Sequence, residues 1–265
     1  MADALSATLM KSGVGEAMKI TSTSISFGIR WIKRYFSHTI LIAGQNSSGK
    51  TSFRDYLLTG LLPPHARQME ETQDFSSRLA SISFHNGTKL FSNITFWIRD
   101  SRGFFDAKPI AKDIKDQKPA FLYFVFDIRR IVEEPQISAG LFDENALDKY
   151  GDTARWSRML GVRIEEIIPH ASTAKSKLCG VAILLNKCDK IDAATMESKV
   201  KYFKNSILPY FVALHPKLGV GETNIDVFRT ALLKGKKLPS GEDSEHLLAL
   251  EFMFQCLSQG GAIND

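Results

Sequence analysis

Apolar positions follow two different spacings along most of this chain, and each spacing predicts one kind of element. Three runs of strand length are almost continuously apolar: residues 39–43, 120–126 and 181–185. Three longer segments carry apolar side chains at helical spacing: residues 152–170, 192–214 and 240–258. Continuous apolar strands are typical of parallel sheets that are covered on both faces. The alternation of strands with helices therefore predicts a parallel α/β sheet.

The remaining predicted strands are less regular. Residues 78–84 and 93–99 are predicted to be strands joined by a turn at residues 85–87, and they could pair as a hairpin at the edge of the sheet. Apolar and polar residues largely alternate over residues 225–231, which predicts a last strand.

Start and stop signals refine the predicted helices. A helix is expected to follow the first strand and to reach about Thr59. Pro209 should kink or divide the segment 192–214, because proline lacks the N–H that a helix interior needs. Ser240 is the predicted cap of the final helix.

The first 37 residues differ from the rest and predict an extension to a single α/β domain at residues 38–265. Within the extension, residues 27–36 mix aromatic side chains such as Trp31 with basic ones such as Arg30. One interpretation is a basic amphipathic helix in peripheral contact with a membrane. The other is a helix that packs on the body of the domain or binds a partner protein.

Composition narrows the class of protein. A formal net charge of +5 on 265 residues is mildly basic, which is too little to predict nucleic-acid binding. The cysteines, Cys179, Cys188 and Cys256, fall in no metal-binding spacing and are odd in number. They favour a reducing compartment. No run approaches 18 apolar residues, so a cytoplasmic protein is expected, with any membrane attachment peripheral.

A glycine-rich motif follows the first strand and opens the first helix. It consists of Gly44, Gln45, Asn46, Ser47, Ser48, Gly49, Lys50 and Thr51, and Ser52 follows it. The pattern is that of a phosphate-binding loop, in which glycines let successive N–H groups point at phosphate oxygens. The start of the helix adds its positive dipole end. Lys50 can reach the β- and γ-phosphates, and the Thr51 hydroxyl can bind Mg²⁺.

A second motif, of Asn186, Lys187, Cys188 and Asp189, follows directly after the strand at 181–185. The Asp189 carboxylate can accept two hydrogen bonds from the N1–H and the exocyclic amine of guanine. Adenine offers an acceptor and no amine at that edge, so the motif predicts guanine selectivity. Asn186 is expected to tie this loop to the phosphate loop, and the stem of Lys187 to lie over the purine ring.

A third motif has the pattern D-x-x-G and follows the strand at 93–99. Its aspartate, Asp100, can hold Mg²⁺ through water, and the N–H of Gly103 can sense a γ-phosphate. By itself, this pattern indicates only a junction between a strand and a turn with a polar end. Together with the other two motifs it favours a nucleotide site.

These three motifs, in this order, resemble those of the Ras-like GTPase superfamily, over about residues 39–258. The resemblance implies a doubly wound sheet of six strands and two loops that respond to the γ-phosphate. It also implies GTP and GDP as ligands, with Mg²⁺. Two family elements match less well. Thr72 is the candidate for a further Mg²⁺ ligand, and the backbone N–H of Ala231 is the candidate donor to the guanine O6.

One departure from the family bears on hydrolysis. Many members have a glutamine after the D-x-x-G glycine, where it positions the attacking water, and this chain has Phe104. Lys50 and Asn46 are the remaining candidate catalytic residues. Slow hydrolysis that is assisted by a partner or a second copy is one expectation. A pseudo-GTPase that holds nucleotide as an assembly scaffold is the alternative. The acidic stretch at residues 131–150 is either a surface for an effector or regulatory protein or a solvated loop.

Overall fold

The computed structural model describes residues 5–9, 18–24, 38–65, 76–86, 89–100, 108–132, 153–167 and 178–263. The strands are β1 (Leu5–Leu9), β2 (Met18–Ser24), β3 (His38–Gly44), β4 (Ser76–Asn86), β5 (Lys89–Asp100), β6 (Phe121–Asp127), β7 (Gly180–Asn186) and β8 (Ile225–Arg229). The helices are α1 (Lys50–Thr59), α2 (Lys108–Gln117), α3 (Thr153–Ile167), α4 (Ala193–Tyr202), α5 (Leu208–Ala213), α6 (His215–Leu218) and α7 (His246–Gln259).

The eight strands among the described residues lie in one sheet, in the order β1-β2-β4-β5-β3-β6-β7-β8. Strand β3 is parallel to β5 and β6, and β7 is parallel to both β6 and β8. The predicted mostly parallel sheet is confirmed. Because the carboxyl ends of parallel strands share one edge of a sheet, the loops after β3, β6 and β7 meet there.

Helices cover both faces of the parallel part, as predicted for a doubly wound fold. On one face, α2, α3 and α4 pack on alternate residues of β6 such as Phe124 and Phe126. Trp156 of α3 lies edge-on to the Phe126 ring, with a centroid distance of 5.4 Å. On the other face, α1 and α7 pack on Tyr123 and its neighbours. Every residue of β6 and β7 is buried, which explains their continuous apolar runs.

The long helical segment after β7 divides where proline predicted it would. Between α4 and α5 the chain makes one wide turn, Phe203–Ile207, in which the N–H of Leu208 donates to the carbonyl of Phe203 five residues earlier. Pro209 then stands in the first turn of α5, where its missing N–H costs least. The wide turn relieves the clash that a regular helix would impose on the proline ring.

Two local predictions are wrong. The hairpin of β4 and β5 is present, but it is not at the sheet edge, because β2 pairs with β4. The last helix begins at His246 and not near Ser240. A turn that includes Gly241, with a φ of 84°, and a hydrogen bond from the N–H of Leu238 to the Glu242 carbonyl occupy that segment instead.

The N-terminal extension contributes β1 and β2, which the sequence pattern does not predict. The segment 27–36, for which a helix was predicted, lies outside the described residues, as does most of the stretch 131–150. Within the described part of the chain, no helix is both long and apolar enough to cross a bilayer.

Candidate functional site

The loop from β3 to α1 folds in a way that only glycine permits at both of its ends. Gly44 has a φ of 138°, and a Cβ there would lie 2.1 Å from the carbonyl oxygen of Val125 on β6. Gly49 has a φ of 105°, and its Cβ would lie 2.2 Å from Nδ2 of Asn186. Any larger residue would push the loop away from the strands on either side.

Five consecutive carbonyl oxygens of this loop accept hydrogen bonds from side chains. Lys50 Nζ binds the carbonyls of residues 44 and 45, at 3.2 and 2.6 Å. The next three carbonyls are bound by Arg130, Lys187 and Asn186: Asn46 at 2.7 Å, Ser47 at 2.6 Å and Ser48 at 2.7 Å. Because these bonds fix five successive peptide groups, they also fix the direction of the backbone N–H groups that a phosphate-binding loop uses. The loop is therefore shaped to bind an anion.

Two hydroxyl groups in the same loop lack partners. The Oγ atoms of Ser47 and Ser48 are buried, and neither makes a hydrogen bond within the described residues. Ser47 holds a left-handed φ of 55°, which is uncommon for a residue with a side chain. A buried donor without a partner costs free energy, and phosphate oxygens in the loop would supply the acceptors.

Lys50 is buried with its ammonium against the carbonyls of residues 44 and 45, and burial lowers its pKa to about 8. The charge of Asp100 raises this pKa, whereas that of Arg130 lowers it. A phosphate group near the ammonium would favour the charged form and raise the pKa toward its ordinary value. The site therefore contains a buried cation whose charged form is disfavoured by burial.

Thr51 and Asp100 form a candidate metal site beside the loop. The hydroxyl of Thr51 donates to Oδ2 of Asp100 at 3.1 Å, and the buried Oδ1 of Asp100 accepts no hydrogen bond from any residue that the structure describes. Burial raises the pKa of Asp100, although the charges of Lys50 and Arg54 oppose the shift. Mg²⁺ prefers oxygen ligands of this kind, together with water and phosphate. The residues present fit the cation.

The loop after β7 is fastened to the phosphate loop. Asn186 donates to the carbonyl of Ser48, and its Oδ1 accepts from the N–H of Leu232 at 3.2 Å. The side chain of Asp189 is only 8% exposed, and within the described part of the chain its Oδ2 accepts no hydrogen bond; Lys190 Nζ lies 3.5 Å away. A buried carboxylate oxygen without a donor is what a guanine edge would satisfy.

Lys187 holds its ammonium between two loops. Its Nζ donates to the Ser47 carbonyl and to Oδ2 of Asp127, at 2.8 Å. Burial would raise the pKa of Asp127, but hydrogen bonds from Arg129 and Lys187 outweigh it and keep that pKa below its ordinary value. Lys187 has a φ of 66°. The charged end of Lys187 is therefore fixed, and its stem is placed where the loops converge.

The structure contradicts one predicted contact. The N–H of Ala231, the candidate donor to guanine O6, donates to the hydroxyl of Ser244 at 2.9 Å instead. Ala231 is fully buried, so its N–H is directed into the protein and not toward a base. Ser244 lies in the turn before α7, which the sequence pattern had assigned to a helix.

Three predicted residues, Thr72, Gly103 and Phe104, lie outside the described residues. Ser52 stands in the first turn of α1 and is half-buried. Asn46 enters the site through its carbonyl group, which binds Arg130.

Two residues at the end of β6 are part of the site although the sequence analysis did not select them. Asp127 and Arg130 bracket a short turn, Ile128–Arg130, beside the phosphate loop. The signal in the sequence is the break from six apolar or aromatic residues, 121–126, to a charged Asp-Ile-Arg-Arg stretch at the same sheet edge as the other motifs.

Comparison with known proteins gives one family. The model described as the Gtr1/RagA G protein conserved region matches residues 39–233, more than half of the chain. A comparison with curated proteins gives no match.

Three solved structures are also similar. They are a bacterial selenocysteine-specific elongation factor EF-Sec (15% identity, 84% of this chain, TM-score 0.45), elongation factor SelB from Methanococcus maripaludis in complex with the GTP analogue GppNHp (12%, 74%, 0.40), and a GTP-binding protein from the hyperthermophilic archaeon Sulfolobus solfataricus in complex with GDP (18%, 88%, 0.41). This chain covers 29%, 30% and 55% of those three chains.

Proposed function

Since this chain belongs to the Gtr1/RagA family of G proteins, we propose that it is a nucleotide-controlled switch that binds GTP and GDP with Mg²⁺ and hydrolyses GTP slowly. Family membership makes it a GTP-binding protein. The roles of individual residues, of the metal and of partners are the finer part of the proposal, and the geometry of the site supports them.

The observation that carries the proposal is the position of Asn186. Its amide is bonded both to the phosphate loop, at Ser48, and to the segment after β8, at Leu232. The loop suited to phosphates and the loop suited to a base are therefore held at a fixed separation. A nucleotide, which has a base and phosphates joined by a sugar, is the ligand that uses both loops together.

Guanine selectivity rests on Asp189. Its Oδ2 is buried and receives no hydrogen bond from the residues that are described, and a guanine edge offers two adjacent N–H donors. An adenine edge would leave the carboxylate unpaired, which costs more than the loss of an ordinary contact. ATP should therefore bind much more weakly than GTP.

Magnesium would be held by the Thr51 hydroxyl and, directly or through water, by Asp100. When bound, the cation neutralises charge that develops on the β- and γ-phosphate oxygens. Deprotonated Asp100 is required for this role. Burial raises the pKa of Asp100 and so disfavours its charged form. The charges of Lys50 and Arg54 lower the pKa and offset part of this cost.

Hydrolysis is proposed to be limited by the positioning of water. Lys50 and the loop N–H groups can stabilise the phosphate charge, but the residue after the D-x-x-G glycine is Phe104, which cannot orient water. An effector or regulatory protein, or a second copy of this chain, would then supply the missing contact. Asn46 remains a local candidate.

A scaffold that holds nucleotide without hydrolysing it is the second candidate function, and Phe104 is the feature that favours it. Retention of Lys50, Thr51 and Asp100 favours the switch. The two functions differ in one measurable quantity, which is turnover of bound GTP.

Competition against a labelled guanine nucleotide tests the binding proposal directly. GDP and GTP are expected to compete strongly, and ATP to compete weakly. Equal competition by ATP and GTP would refute it. Single-turnover hydrolysis is then measured for dilute protein, for concentrated protein, and in potassium against sodium salts. Slow turnover that rises with concentration or with potassium supports the switch, whereas no turnover under any condition supports the scaffold.

A further inference from the structure

The turn after β6 presents a second cation to the phosphate loop. Within this turn, Ile128–Arg130, the guanidinium of Arg130 donates from Nη1 to the carbonyl of Asn46 at 2.7 Å. The two residues are 84 positions apart in the chain, so the contact depends on the pairing of β6 with β3.

The turn that carries Arg130 is fixed at both ends. At its start, the Asp127 carboxylate accepts from the backbone N–H of Arg129 at 3.1 Å. At its end, Lys199 of α4 donates to the carbonyls of Arg129 and Ile131, the first at 3.3 Å. Ile128 is fully buried. The backbone of Arg130 is therefore held in place before any ligand binds.

Two positive charges converge on the start of the phosphate loop. The ammonium of Lys50 donates to the carbonyls of residues 44 and 45, and the guanidinium of Arg130 donates to the carbonyl of residue 46. These charged groups bind the carbonyls of the adjacent residues 45 and 46, so two like charges lie near each other and repel. Such repulsion costs free energy in the absence of a ligand, and an anion that contacts both groups removes it.

The order of the side chains along the loop identifies the phosphate concerned. Asn186 and Lys187, from the loop suited to the base, bind the carbonyls of residues 48 and 47. Arg130 binds the next carbonyl away from the base loop, that of residue 46. The base and the terminal phosphate are at opposite ends of a nucleoside triphosphate.

We propose that Arg130 binds the terminal phosphate of the nucleotide and acts as a catalytic arginine supplied by the same chain. This inference rests on the function proposed above. In the reaction, the oxygen of water bonds to the γ-phosphorus while the bond from that phosphorus to the β–γ bridging oxygen breaks. The bond electrons stay with GDP, and the water proton ends on phosphate or its surroundings. Arg130 stabilises the charge on the transferred group and changes no bond itself.

Such an arginine partly compensates for the absence of a glutamine at position 104. It stabilises the phosphate charge without orienting the water, so turnover stays slow but does not vanish. Because the γ-phosphate is absent from GDP, Arg130 also favours the triphosphate over the diphosphate.

The test compares Arg130→Ala and Arg130→Lys with Arg163→Ala as the matched control. Arg163 lies on the exposed surface of α3, where it pairs with Glu166. For each protein, the affinities for GTP, its non-hydrolysable analogue and GDP are measured with Mg²⁺, and single-turnover hydrolysis is timed at saturating GTP. Thermal melting without nucleotide verifies folding.

Loss of Arg130 should weaken triphosphate binding about tenfold or more, as expected for a charge-assisted contact, and leave GDP affinity within about twofold. Hydrolysis of bound GTP should fall by about 10² or more. The lysine variant should recover part of the triphosphate affinity and little of the rate, since a point charge replaces a planar fork. Arg163→Ala should match the unmodified chain.

Equal weakening of GTP and GDP, with an unchanged rate from bound GTP, would show that Arg130 only braces the loop and would overturn the proposal. If Arg130→Ala fails to fold, the same comparison of triphosphate with diphosphate is made with Arg130→Lys. Equal binding of ATP and GTP by the unmodified chain would refute the proposed guanine selectivity. The role of Arg130 would then be decided with ATP and ADP.

Discussion

The side-chain amide of Asn186 donates a hydrogen bond of 2.7 Å to the carbonyl oxygen of Ser48, which lies 138 residues earlier in the chain. This bond joins the end of β7 to the phosphate loop, and the Oδ1 of the same amide binds the N–H of Leu232. One side chain thus satisfies two buried backbone groups in two different loops.

Asn186→Ala is predicted to lower both stability and nucleotide affinity. It leaves the Ser48 carbonyl and the Leu232 N–H without partners, so the free energy of unfolding should fall by about 1–3 kcal/mol. Urea unfolding measures this loss, and a nucleotide titration measures affinity. Asn224→Ala is the control, because Asn224 also bonds a backbone carbonyl, that of Cys179, away from the site. It should lower stability alone, and equal affinity losses in both variants would contradict the prediction.

Asp189→Asn is predicted to exchange guanine selectivity for xanthine selectivity. The amide would offer an N–H donor where the carboxylate offers an acceptor, and xanthine has an oxygen where guanine has an amine. The ratio of XTP to GTP affinity should rise by about tenfold or more, the scale of one well-placed hydrogen bond to a charged group. Asp192→Asn, at the exposed start of α4, should leave the ratio unchanged. An unaltered ratio in Asp189→Asn would place the base elsewhere.

Nucleotide affinity is predicted to fall as the pH rises above about 8. The pKa of Lys50 is about 8 without ligand, and phosphate raises it, so binding takes up a proton above that pH. Affinity should be level below pH 8 and should fall by up to about tenfold per pH unit above it. Calorimetry in buffers of different ionisation enthalpy measures the proton uptake. The Lys50→Arg variant stays charged, and the same pH slope in that variant would assign the effect to another group.

The same pKa has a consequence for the nucleotide-free fold. A lysine with a folded-state pKa below its ordinary value of 10.5 destabilises the fold while it is charged in both states. That cost is complete below pH 8 and disappears as the pH rises from 8 to 10.5. Nucleotide should remove this pH dependence.

Asp127→Asn is predicted to loosen the phosphate loop and lower stability. Asp127 is fully buried and pairs with Lys187 and Arg129, whose side chains are 25% and 48% exposed, so loss of its charge is expected to cost about 1–3 kcal/mol. Because the folded-state pKa of Asp127 is lowered, its contribution is present above the ordinary value of 3.8. It is lost as the pH falls through the folded-state pKa. Urea unfolding should show that the loss of unfolding free energy in Asp127→Asn is smaller below pH 4 than at pH 7. Asp116→Asn, at an exposed position, should lose little unfolding free energy at either pH.

Removal of residues 1–37 is predicted to spare nucleotide affinity and to cause self-association. Strand β2 pairs with β4, so its removal exposes the unpaired edge of β4, and such edges pair with other chains. Sedimentation and a nucleotide titration measure the two effects, and liposome cosedimentation tests the expected membrane contact of residues 27–36. If the truncated chain is monomeric and as stable as the full chain, β2 is not needed to protect the edge of β4, and the prediction is wrong.

The motif residues of the site could be predicted from the sequence because their spacing is local. Gly44, Gly49 and Lys50 lie within seven residues of one another, and the strand before them and the helix after them fix their geometry. Asn186 follows a strand whose apolar run is unambiguous. Order along the chain and position at strand ends were enough to bring these groups to one edge of the sheet.

The other features of the site and of the fold depend on contacts between separate segments of the chain. The spacing of residues in the sequence does not reveal such contacts. Arg130 and Asp127 act on the phosphate loop because β6 pairs in register with β3, with Gly44 opposite Val125. The N–H of Ala231 is occupied by a serine hydroxyl thirteen positions later, across a turn without periodicity. Strand β2 joins the sheet through residues rich in serine and threonine, which carry little apolar pattern.

The tethered carbonyls of the phosphate loop also bear on how nucleotide leaves. Residues 44–48 are held by side chains from α1, from the turn after β6 and from the end of β7, so the protein itself braces the loop and capture of a nucleotide requires little ordering of the chain. Dissociation then requires the breaking of ligand contacts and no unfolding of the pocket. A catalyst of nucleotide exchange would act most directly on the tethers at the ends of β6 and β7, because their release would let the phosphate loop change shape.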